Sequence, residues 1–401
     1  MNRILFVDDE PGILDGLRNS LRRQRHRWEM VFVASGTEAL RELEKAPCDL
    51  VVTDMRMPLM DGAELLRRVK AGWPATARIV LSGQAEQEAI LRTLPVAHQF
   101  LCKPCDPEQL SAVIDRSCRL GALLNHDPLR RAIGALDSLP CLPRHRAALE
   151  ATLARPGTGL AEVGAIVERD PALSVKLLQL VNSGYFGSGG TQCSIRQAVT
   201  YLGLELLRTL VTDTQVFATP PTASGGMDLE PWQRHSLRMA RLMRRFFAGE
   251  KLAEEAYALG LIHDVGEVVL AAALAGPHGR SGTAPIASGA TATLREPLNA
   301  DVGHAEVGAY LLGIWGLPLS MVEAVTHHHR PSALAANADC RLLAALHTAD
   351  ALLGSCAGEA GAEHQLDTAF LARAVPASLL EQWRRIAMDE AEEEIAREQM
   401  P

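Results

Sequence analysis

The first 120 residues alternate short apolar segments with stretches of helical periodicity, and this alternation restricts the possible folds more than any other feature. The apolar segments lie at 3–7, 49–53, 78–81 and 99–102, and helical patterns follow at Gly12–Arg25, Asp61–Ala71, Glu86–Thr93 and Pro107–Leu120. Short apolar segments of this kind are typical of strands that are buried on both faces by helices. The pattern predicts a doubly wound α/β domain with a parallel sheet.

Polar residues follow the predicted strands directly, at the edge where such sheets bind their ligands. Asp8 and Asp9 follow the first strand, and Asp54, Ser82 and Lys103 follow later strands. One acid at a strand end often only caps the next helix, but five matching positions in order favour a shared site. Carboxylates brought close together repel one another, and Mg²⁺ prefers such oxygen ligands. A lysine and a hydroxyl suit the oxygens of a phosphoryl group, so we predict a Mg²⁺ site with Asp54 as the phosphoryl acceptor.

These residues resemble the receiver domain of two-component response regulators over about residues 1–121. The motifs are Val7-Asp8-Asp9-Glu10, Thr53-Asp54-Met55-Arg56-Met57-Pro58 with Asp61-Gly62, Leu81-Ser82-Gly83 and Lys103-Pro104. The resemblance implies a flavodoxin-like fold in which a histidine kinase phosphorylates Asp54. It also implies that Asp8 and Asp9 hold Mg²⁺ together with Asp54, and that Ser82 and Lys103 sense the phosphoryl group.

The same resemblance accounts for two further features near the fifth strand. Phe100 occupies the position of the aromatic switch, although an ordinary buried aromatic on a strand is an equal alternative. A cis peptide bond is implied between Lys103 and Pro104. The C-x-x-C formed by Cys102 and Cys105 then needs no redox or metal role, since no second Cys or His pair lies near it.

A helix from Pro107 to Leu124 leads from this domain into a module of different character. Asn125-His126-Asp127-Pro128 interrupts the helical pattern, so residues 122–137 are predicted to form a helical linker. Residues 138–355 show helical periodicity and predict an all-α domain. Residues 275–293 are rich in Gly, Ala, Ser and Thr, which indicates a mobile surface insertion. The glutamate-rich segment 356–401 is predicted to form helices with a solvated face, and we assign it no function.

Seven residues of the second module are candidates for a metal site. They are His235, His263, Asp264, His304, His328, His329 and Asp350. Imidazole and carboxylate without thiolate favour iron or manganese over a structural zinc. A single histidine on a helix is more often a satisfied polar residue than a ligand. His263 and Asp264, however, lie in an otherwise apolar helix, where burying an unpartnered polar group costs roughly 2 to 7 kcal/mol. Partners for this pair are therefore expected.

Residues 136–352 resemble the HD superfamily of metal-dependent phosphohydrolases, and its HDOD branch in particular. The motifs are Leu180-Val181-Asn182-Ser183 with Tyr185-Phe186-Gly187, His235-Ser236, Gly260–Gly266, His304–Leu312, Trp315–Pro318 and His328-His329-Arg330-Pro331. HDOD modules are mostly described as signalling modules without demonstrated catalysis. The resemblance to the related HD-GYP phosphodiesterases, however, implies that the seven candidates occupy the ligand positions of a binuclear iron or manganese site. Glu267 replaces a lysine of those enzymes, and no Gly-Tyr-Pro follows the double histidine, so both departures weigh against turnover.

Composition and charge exclude other classes of function. The 401 residues include 40 Lys and Arg against 48 Asp and Glu, and the net charge of −8 argues against nucleic acid or an anionic membrane as a partner. The arginines at 22–27 lie inside the receiver and form no recognition helix. No uncharged apolar stretch reaches the ~18 residues of a membrane span, and the short apolar start does not fit a signal peptide. We therefore expect a cytoplasmic protein whose cysteines are free thiols.

Two functions of different class follow from these observations. The first is a phosphorylation-controlled adaptor, in which the HDOD module acts in signalling through an unknown protein partner. The second is a phosphorylation-regulated, metal-dependent phosphohydrolase that acts on a phosphodiester such as a cyclic dinucleotide. Glu267 and the missing Gly-Tyr-Pro favour the first. The cognate kinase, the partner and the oligomeric state, with a homodimer as one option, stay open.

Overall fold

The structure is a computed structural model that describes residues 1–83, 93–136, 138–183, 193–212, 227–274, 302–334, 340–356 and 366–398. Three sequence predictions fall wholly or almost wholly outside these residues. They are the helix Glu86–Thr93, the motif Tyr185-Phe186-Gly187 and the insertion at 275–293.

Five parallel strands form the sheet of the first domain, in the order β2-β1-β3-β4-β5. The strands are β1 Asn2–Val7, β2 Trp28–Val33, β3 Leu50–Asp54, β4 Ala77–Ser82 and β5 Gln99–Cys102. Every residue of β3 and β4 is buried, as expected for strands covered on both faces. The prediction of a doubly wound, flavodoxin-like domain is therefore confirmed. Asp54 and Ser82 are the last residues of their strands rather than the first residues beyond them.

Four helices cover the two faces of this sheet in the part of the chain that the structure describes. They are α1 Pro11–Ser20, α2 Gly36–Lys45, α3 Gly62–Gly72 and α4 Pro107–Leu123. Leu14 of α1 and Ile114 of α4 share one apolar cluster with alternate strand residues, whereas Leu43 of α2 and Leu66 of α3 share the cluster on the other face. The predicted helix Gly12–Arg25 is shorter than expected, because a 3₁₀ turn at Arg22–Gln24 follows α1.

Beyond residue 126 the described part of the chain contains helices and no strands. Its elements up to the double histidine are α5 Asp127–Ala135, α6 Pro143–Ala154, α7 Leu160–Val167, α8 Pro171–Asn182, α9 Ile195–Thr212, α10 Leu229–Phe246, α11 Ala253–Ile262, α12 Val265–Leu274, α13 His304–Ile314 and α14 Leu319–His327. After it come α15 Arg341–Cys356, α16 Thr368–Ala374 and α17 Ala377–Glu398.

The apolar stretch Ala253–Ala273 contains His263 and Asp264, and it forms two helices rather than the one helix expected around this pair. His263 and Asp264 separate α11 from α12, and both residues are buried. By length and composition alone this stretch would suit a membrane span, but 83% of its apolar window is buried inside the protein. It forms part of the core of the second domain. The break at His263 and Asp264 directs two polar side chains into that core.

Residues 122–137, predicted as a linker, include a helix that packs tightly against the first domain. A Cβ atom added at Gly134 of α5 would lie 1.8 Å from the main-chain oxygen of Pro74. The Arg78 guanidinium also donates to the main-chain oxygen of Gly134, at 2.7 Å. This segment is therefore a packed joint between the domains.

The glutamate-rich C-terminal segment also contributes to a core. Trp383 of α17 is 0% exposed, and its ring stacks on Phe246 of α10 with a centroid distance of 5.1 Å. Its Nε1 donates to the main-chain oxygen of Phe246 at 3.3 Å, and Glu390 pairs with Arg245. Glu381, Glu392 and Glu393 lie on the exposed face of α17, whereas Glu390 and Trp383 are buried on the face that packs on the second domain. A domain boundary at residue 355 would cut through this packing.

Candidate functional site

The carboxyl end of the sheet brings two carboxylates and a lysine into contact. Lys103, which follows β5, has its Nζ 2.7 Å from Asp8 Oδ2, and it also contacts Asp54 Oδ1. Burial opposes a charged lysine, but hydrogen bonds to Asp54 and Asp8 outweigh it and raise the pKa of Lys103. The lysine is therefore held as a cation between the two acids. We call this group, with Ser82, the acceptor pocket.

Main-chain groups fix the second oxygen of each carboxylate. The N–H of Arg56 donates to Asp54 Oδ2 at 2.7 Å, and the N–H of Glu10 donates to Asp8 Oδ1 at 3.0 Å. Gly62, at the start of α3, lies so close that a Cβ there would be 2.3 Å from the main-chain oxygen of Asp54. Only glycine permits this approach. The acceptor side chain is thus held in a defined orientation.

The other predicted receiver residues lie at or near this edge. Ser82 is 0% exposed at the end of β4, and its main-chain oxygen accepts from the N–H of Lys103 at 2.8 Å. Asp9 is half-buried beside Asp8 in sequence. Phe100 is buried in β5, on the sheet face covered by α2 and α3. The Lys103–Pro104 bond is cis, as the resemblance implies.

Six of the seven histidine and aspartate candidates come together in two groups of three. The first group is His235, His263 and Asp264, and the second is His304, His328 and His329. Within each group, one ligand atom from every residue lies within 4.8 Å of the others. The side chains come from α10, the break between α11 and α12, the first residue of α13 and the two residues that follow α14. We call the two groups together the histidine cluster.

Asp264 joins the two groups through its two oxygens. Its Oδ2 is 3.1 Å from the Nε2 of His263 and 3.4 Å from the Nε2 of His235. Its Oδ1 is 3.4 Å from the Nε2 of His304 and 3.5 Å from the Nε2 of His328. One carboxylate therefore faces four imidazoles, two on each side. This is the arrangement expected of a bridging ligand between two cations.

Hydrogen bonds to main-chain oxygens set the tautomers of two of these rings. The Nδ1 of His263 donates to Gly260 at 2.9 Å, and the Nδ1 of His328 donates to Val325 at 2.7 Å. In a neutral ring the Nε2 atom then carries a lone pair, and here it faces Asp264. Lone pairs facing a carboxylate repel it unless a proton or a metal ion lies between them. The donor set therefore fits a metal centre.

The electrostatics of the cluster agree with this assignment. Burial opposes ionisation of Asp264, but His263 and hydrogen bonds from His235 and His304 hold its pKa well below the usual range. Burial likewise opposes protonation of His235 and His304, yet Asp264 raises the pKa of each to about 9. Burial and the neighbouring His328 lower the pKa of His329. Metal binding would release the protons that the charge of Asp264 stabilises on His235 and His304.

Asp350 and Glu267 lie at the margin of the cluster. Asp350 is buried, and its Oδ2 is 3.5 Å from the Nδ1 of His329, outside both groups of three. Burial and the charge of Asp264 raise the pKa of Glu267 to about 7. Where it is ionised, the Glu267 carboxylate would repel an anionic substrate near the cluster, as the resemblance to HD-GYP enzymes implies.

The backbones of α12 and α13 touch at the histidine cluster. A Cβ at Gly266 would lie 1.9 Å from the main-chain oxygen of His304 and 2.7 Å from the main-chain nitrogen of Gly308. The two helices cross without an intervening side chain at this point. Glycine at 266 therefore allows His304 to approach Asp264.

Sequence reasoning missed His347, which supports the double histidine from α15. The side chain is 1% exposed, and its Nδ1 donates to the main-chain oxygen of His328 at 2.7 Å. Its Nε2 accepts from the N–H of Asp367 at 2.8 Å. The available signal was its place three residues before Asp350, on the same face of one helix.

Comparisons with known proteins agree with this division of the chain. Residues 4–115 match the family described as response regulator receiver domain, and residues 139–331 match the family described as HDOD domain. The transcriptional regulatory protein GlrR of Escherichia coli K12 is 34% identical over 131 residues, which are 32% of this chain and 29% of that protein. The chain spans between 22% and 38% of the length of the first five curated relatives that it matches.

Solved structures give matches of the same kind. A response regulator receiver domain protein from Clostridium thermocellum is 33% identical, with a TM-score of 0.29, and the match covers 31% of this chain and 99% of that one. The MmoQ response regulator from Methylococcus capsulatus Bath is 20% identical, with a TM-score of 0.45, and the match covers 62% of this chain and 98% of that one.

The parallel sheet and the acceptor pocket define the first domain as a signal receiver. The helical domain that follows matches the HDOD family and brings together two groups of three residues that could each hold a metal ion. The chain combines a receiver domain at residues 4–115 with an HDOD domain at residues 139–331.

Proposed function

We propose that a histidine kinase phosphorylates Asp54 and that the HDOD domain passes the resulting signal to a protein partner. The observation that carries this proposal is the contact of Lys103 with both Asp54 and Asp8 at the carboxyl end of the sheet. Asp8, Asp9 and Asp54 would hold Mg²⁺, which neutralises charge on the incoming phosphoryl group.

The acceptor pocket supplies the groups that this chemistry requires. Asp54 directs one oxygen toward Lys103, while the other is held by the Arg56 N–H. A phosphoryl group on Asp54 adds negative charge next to the lysine, and Ser82 is buried at the end of the neighbouring strand β4. Phosphorylation shifts the receiver from one conformation to another only if the phosphorylated side chain interacts more favourably with the second conformation than with the first.

Beryllofluoride with Mg²⁺, an analogue of the acyl phosphate, tests this proposal. We expect it to change the tryptophan fluorescence of the full chain and to have no effect on Asp54→Asn. Asp15→Asn is the matched control, because Asp15 is an exposed acid that pairs with Arg18 on α1. It should respond like the unmodified protein. A response that persists in Asp54→Asn would show that the acceptor is another residue.

We propose as a second candidate that the HDOD domain is a metal-dependent phosphohydrolase under control of the receiver. The placement of Asp264 between two groups of imidazoles favours it. His235, His263, His304, His328 and His329 would hold iron or manganese together with Asp264. The metal would supply a bound water of lowered pKa for attack on phosphorus. Glu267 opposes this function by its charge.

Metal content and turnover separate the two candidates. We expect purified protein to bind iron or manganese, with loss in His263→Ala. His26→Ala is the control, since His26 is exposed on the receiver. Hydrolysis of cyclic dinucleotides by the loaded protein, lost in His263→Ala, would establish the phosphohydrolase. Bound metal without hydrolysis would leave the adaptor with a structural or sensory metal. Absence of metal at the cluster would exclude the enzyme.

A further inference from the structure

The HDOD domain contacts β5 at the end of the strand opposite the acceptor pocket. Lys103 follows the last residue of β5, whereas Gln99 is its first residue. The Nε2 of Gln99 donates to the main-chain oxygen of Ile314 at 2.9 Å. Beside it, the Nε2 of Gln179 donates to the main-chain oxygen of His98 at 3.2 Å. One strand of the receiver thus touches the phosphorylation chemistry at one end and the second domain at the other.

The helix that receives this contact also carries a residue of the histidine cluster. Ile314 is the last residue of α13, and His304 is the first. The last carbonyls of a helix have no partner within it, so Gln99 caps the C-terminal end of α13. A Cβ at Gly313 would lie 2.4 Å from the Cδ1 of Leu120 in α4, so the last turn of α13 also rests directly on the receiver.

We propose that β5 and α13 act in series as a rigid connection, so that the state of the acceptor pocket and metal occupancy of the histidine cluster influence each other. This inference rests on the proposed metal centre. The 4 residues of β5 span about 13 Å, and the 11 residues of α13 span about 16 Å. The two elements meet at the hydrogen bond from Gln99 to Ile314.

Both ends of α13 are in close contact with neighbouring elements. Gln99 is 6% exposed, and it also lies within 3.4 Å of the position of a Cβ at Gly316. At the other end, the main-chain oxygen of His304 is in contact with Gly266. A displacement of β5 therefore either moves α13 or breaks the bond. Movement of α13 changes the position of His304 relative to Asp264.

Coupling of this kind acts in both directions. If beryllofluoride at Asp54 changes the metal affinity of the cluster by some factor, metal at the cluster changes the affinity for beryllofluoride by the same factor. Metal binding at the histidine cluster would then alter the acceptor pocket, just as phosphorylation of Asp54 would alter the histidine cluster. Typical coupling factors between two sites are roughly 5 to 150.

Titration with Mn²⁺ by calorimetry tests the coupling on the full chain. Excess Mg²⁺ fills the receiver site, and binding that is absent in His263→Ala is assigned to the histidine cluster. We expect the Mn²⁺ dissociation constant to change at least about fivefold on addition of beryllofluoride. The change should vanish in Asp54→Asn. The reverse titration, beryllofluoride with and without Mn²⁺, should give the same factor.

Gln99→Leu tests the route. It removes the donor with little change in size, and we expect the ratio of the two dissociation constants to fall to about one while Mn²⁺ still binds. Gln24→Leu is the matched control, because the Nε2 of Gln24 donates to Ser111 Oγ within the receiver, at 3.1 Å. Its ratio should match the unmodified protein. If Gln99→Leu does not fold, Leu120→Ala weakens the same contact through Gly313.

The outcomes distinguish failure of the coupling from failure of the metal centre. Mn²⁺ binding that beryllofluoride does not alter would overturn the coupling and leave the metal centre intact. An undiminished ratio in Gln99→Leu would place the coupling elsewhere and overturn this route. Absence of Mn²⁺ binding beyond that of His263→Ala would overturn the metal centre and the coupling together.

Discussion

His98 lies at the contact between the domains, where its main-chain oxygen accepts from Gln179. Protonation of its ring would add a positive charge beside the Arg78 guanidinium. His98 is 6% exposed, its Nδ1 is 3.2 Å from the main-chain nitrogen of Arg78, and its Nε2 is 2.7 Å from the guanidinium. Burial first, and then the charge of Arg78, hold the pKa of His98 well below its ordinary value. Lys70 and Lys176 add to the effect. The ring is therefore neutral in the folded protein.

We predict that His98 makes the protein less stable at acidic pH. The unfolded chain takes up a proton near pH 6.5 that the folded chain does not accept, so this contribution is present above about pH 6.5 and is lost as the pH falls. The loss should reach about 1.4 kcal/mol per pH unit below that value. Urea unfolding between about pH 7.5 and 5 should show a shallower dependence in His98→Gln. Parallel profiles for the two proteins would contradict the prediction, and the exposed His26→Gln should match the unmodified protein.

His347 is predicted to position the double histidine without touching a metal. Its Nδ1 holds the carbonyl between His328 and His329, and partners of this kind typically change metal affinity 10- to 100-fold. We expect His347→Leu to weaken Mn²⁺ binding by about that range, whereas His347→Asn, which keeps a donor at the same place, should retain most of it. Calorimetric titration measures both. Equal weakening in the two variants would indicate a loss of folding rather than of the hydrogen bond.

At the scale of elements, the contact of α5 with the receiver depends on the absence of one side chain. The main-chain oxygen of Pro74 occupies the position of a Cβ at Gly134. We expect Gly134→Ala to destabilise the protein by about 1 to 3 kcal/mol, because the helix must move from the receiver. Gly16→Ala is the opposite case, since nothing lies within 4 Å of its Cβ position in α1. It should stabilise by about 0.5 to 1 kcal/mol. Thermal unfolding compares the two.

Most of the elements were predictable from the sequence, and their contacts were not. Apolar segments gave four of the five parallel strands but not β2 at Trp28–Val33, and the polar residues at the strand ends gave the acceptor pocket, because both signals are local in sequence. The hydrogen bond from Gln99 to Ile314 joins residues 215 positions apart, and no local sequence pattern predicts it. The break at His263 and Asp264 was hidden for a similar reason, since flanking apolar residues continue the helical pattern through it. The members of the histidine cluster were predicted by resemblance, and only the structure supplies the bridging position of Asp264.

At the scale of the whole molecule, the histidine cluster joins helices that are distant in sequence. Its ligands span residues 235 to 329 and come from α10, the break between α11 and α12, the start of α13 and the two residues that follow α14. A metal ion that binds this folded arrangement, and not the unfolded chain, stabilises the fold by mass action. The C-terminal helix shares in this unit, because Trp383 packs on Phe246 of α10.

We predict that Mn²⁺ stabilises the HDOD domain. At a free concentration of about 100 times the dissociation constant, the gain is about 2.7 kcal/mol in the free energy of unfolding. Urea unfolding with and without Mn²⁺, in constant Mg²⁺, measures it. His263→Ala should show no gain, and His26→Ala should show the full gain. Equal stabilisation of all three proteins would mean that Mn²⁺ acts at a site other than the cluster.

The crossing of α12 and α13 at Gly266 has a consequence for how the second domain tolerates change. Where two helices pack through side chains, a substitution in the interface changes the distance between the helices and shifts the side chains beside it. Here the main chains themselves are in contact, so the radii of main-chain atoms set the smallest separation that α12 and α13 can have at this point. Substitutions in the surrounding core can therefore separate these two helices, but they cannot bring the helices closer together.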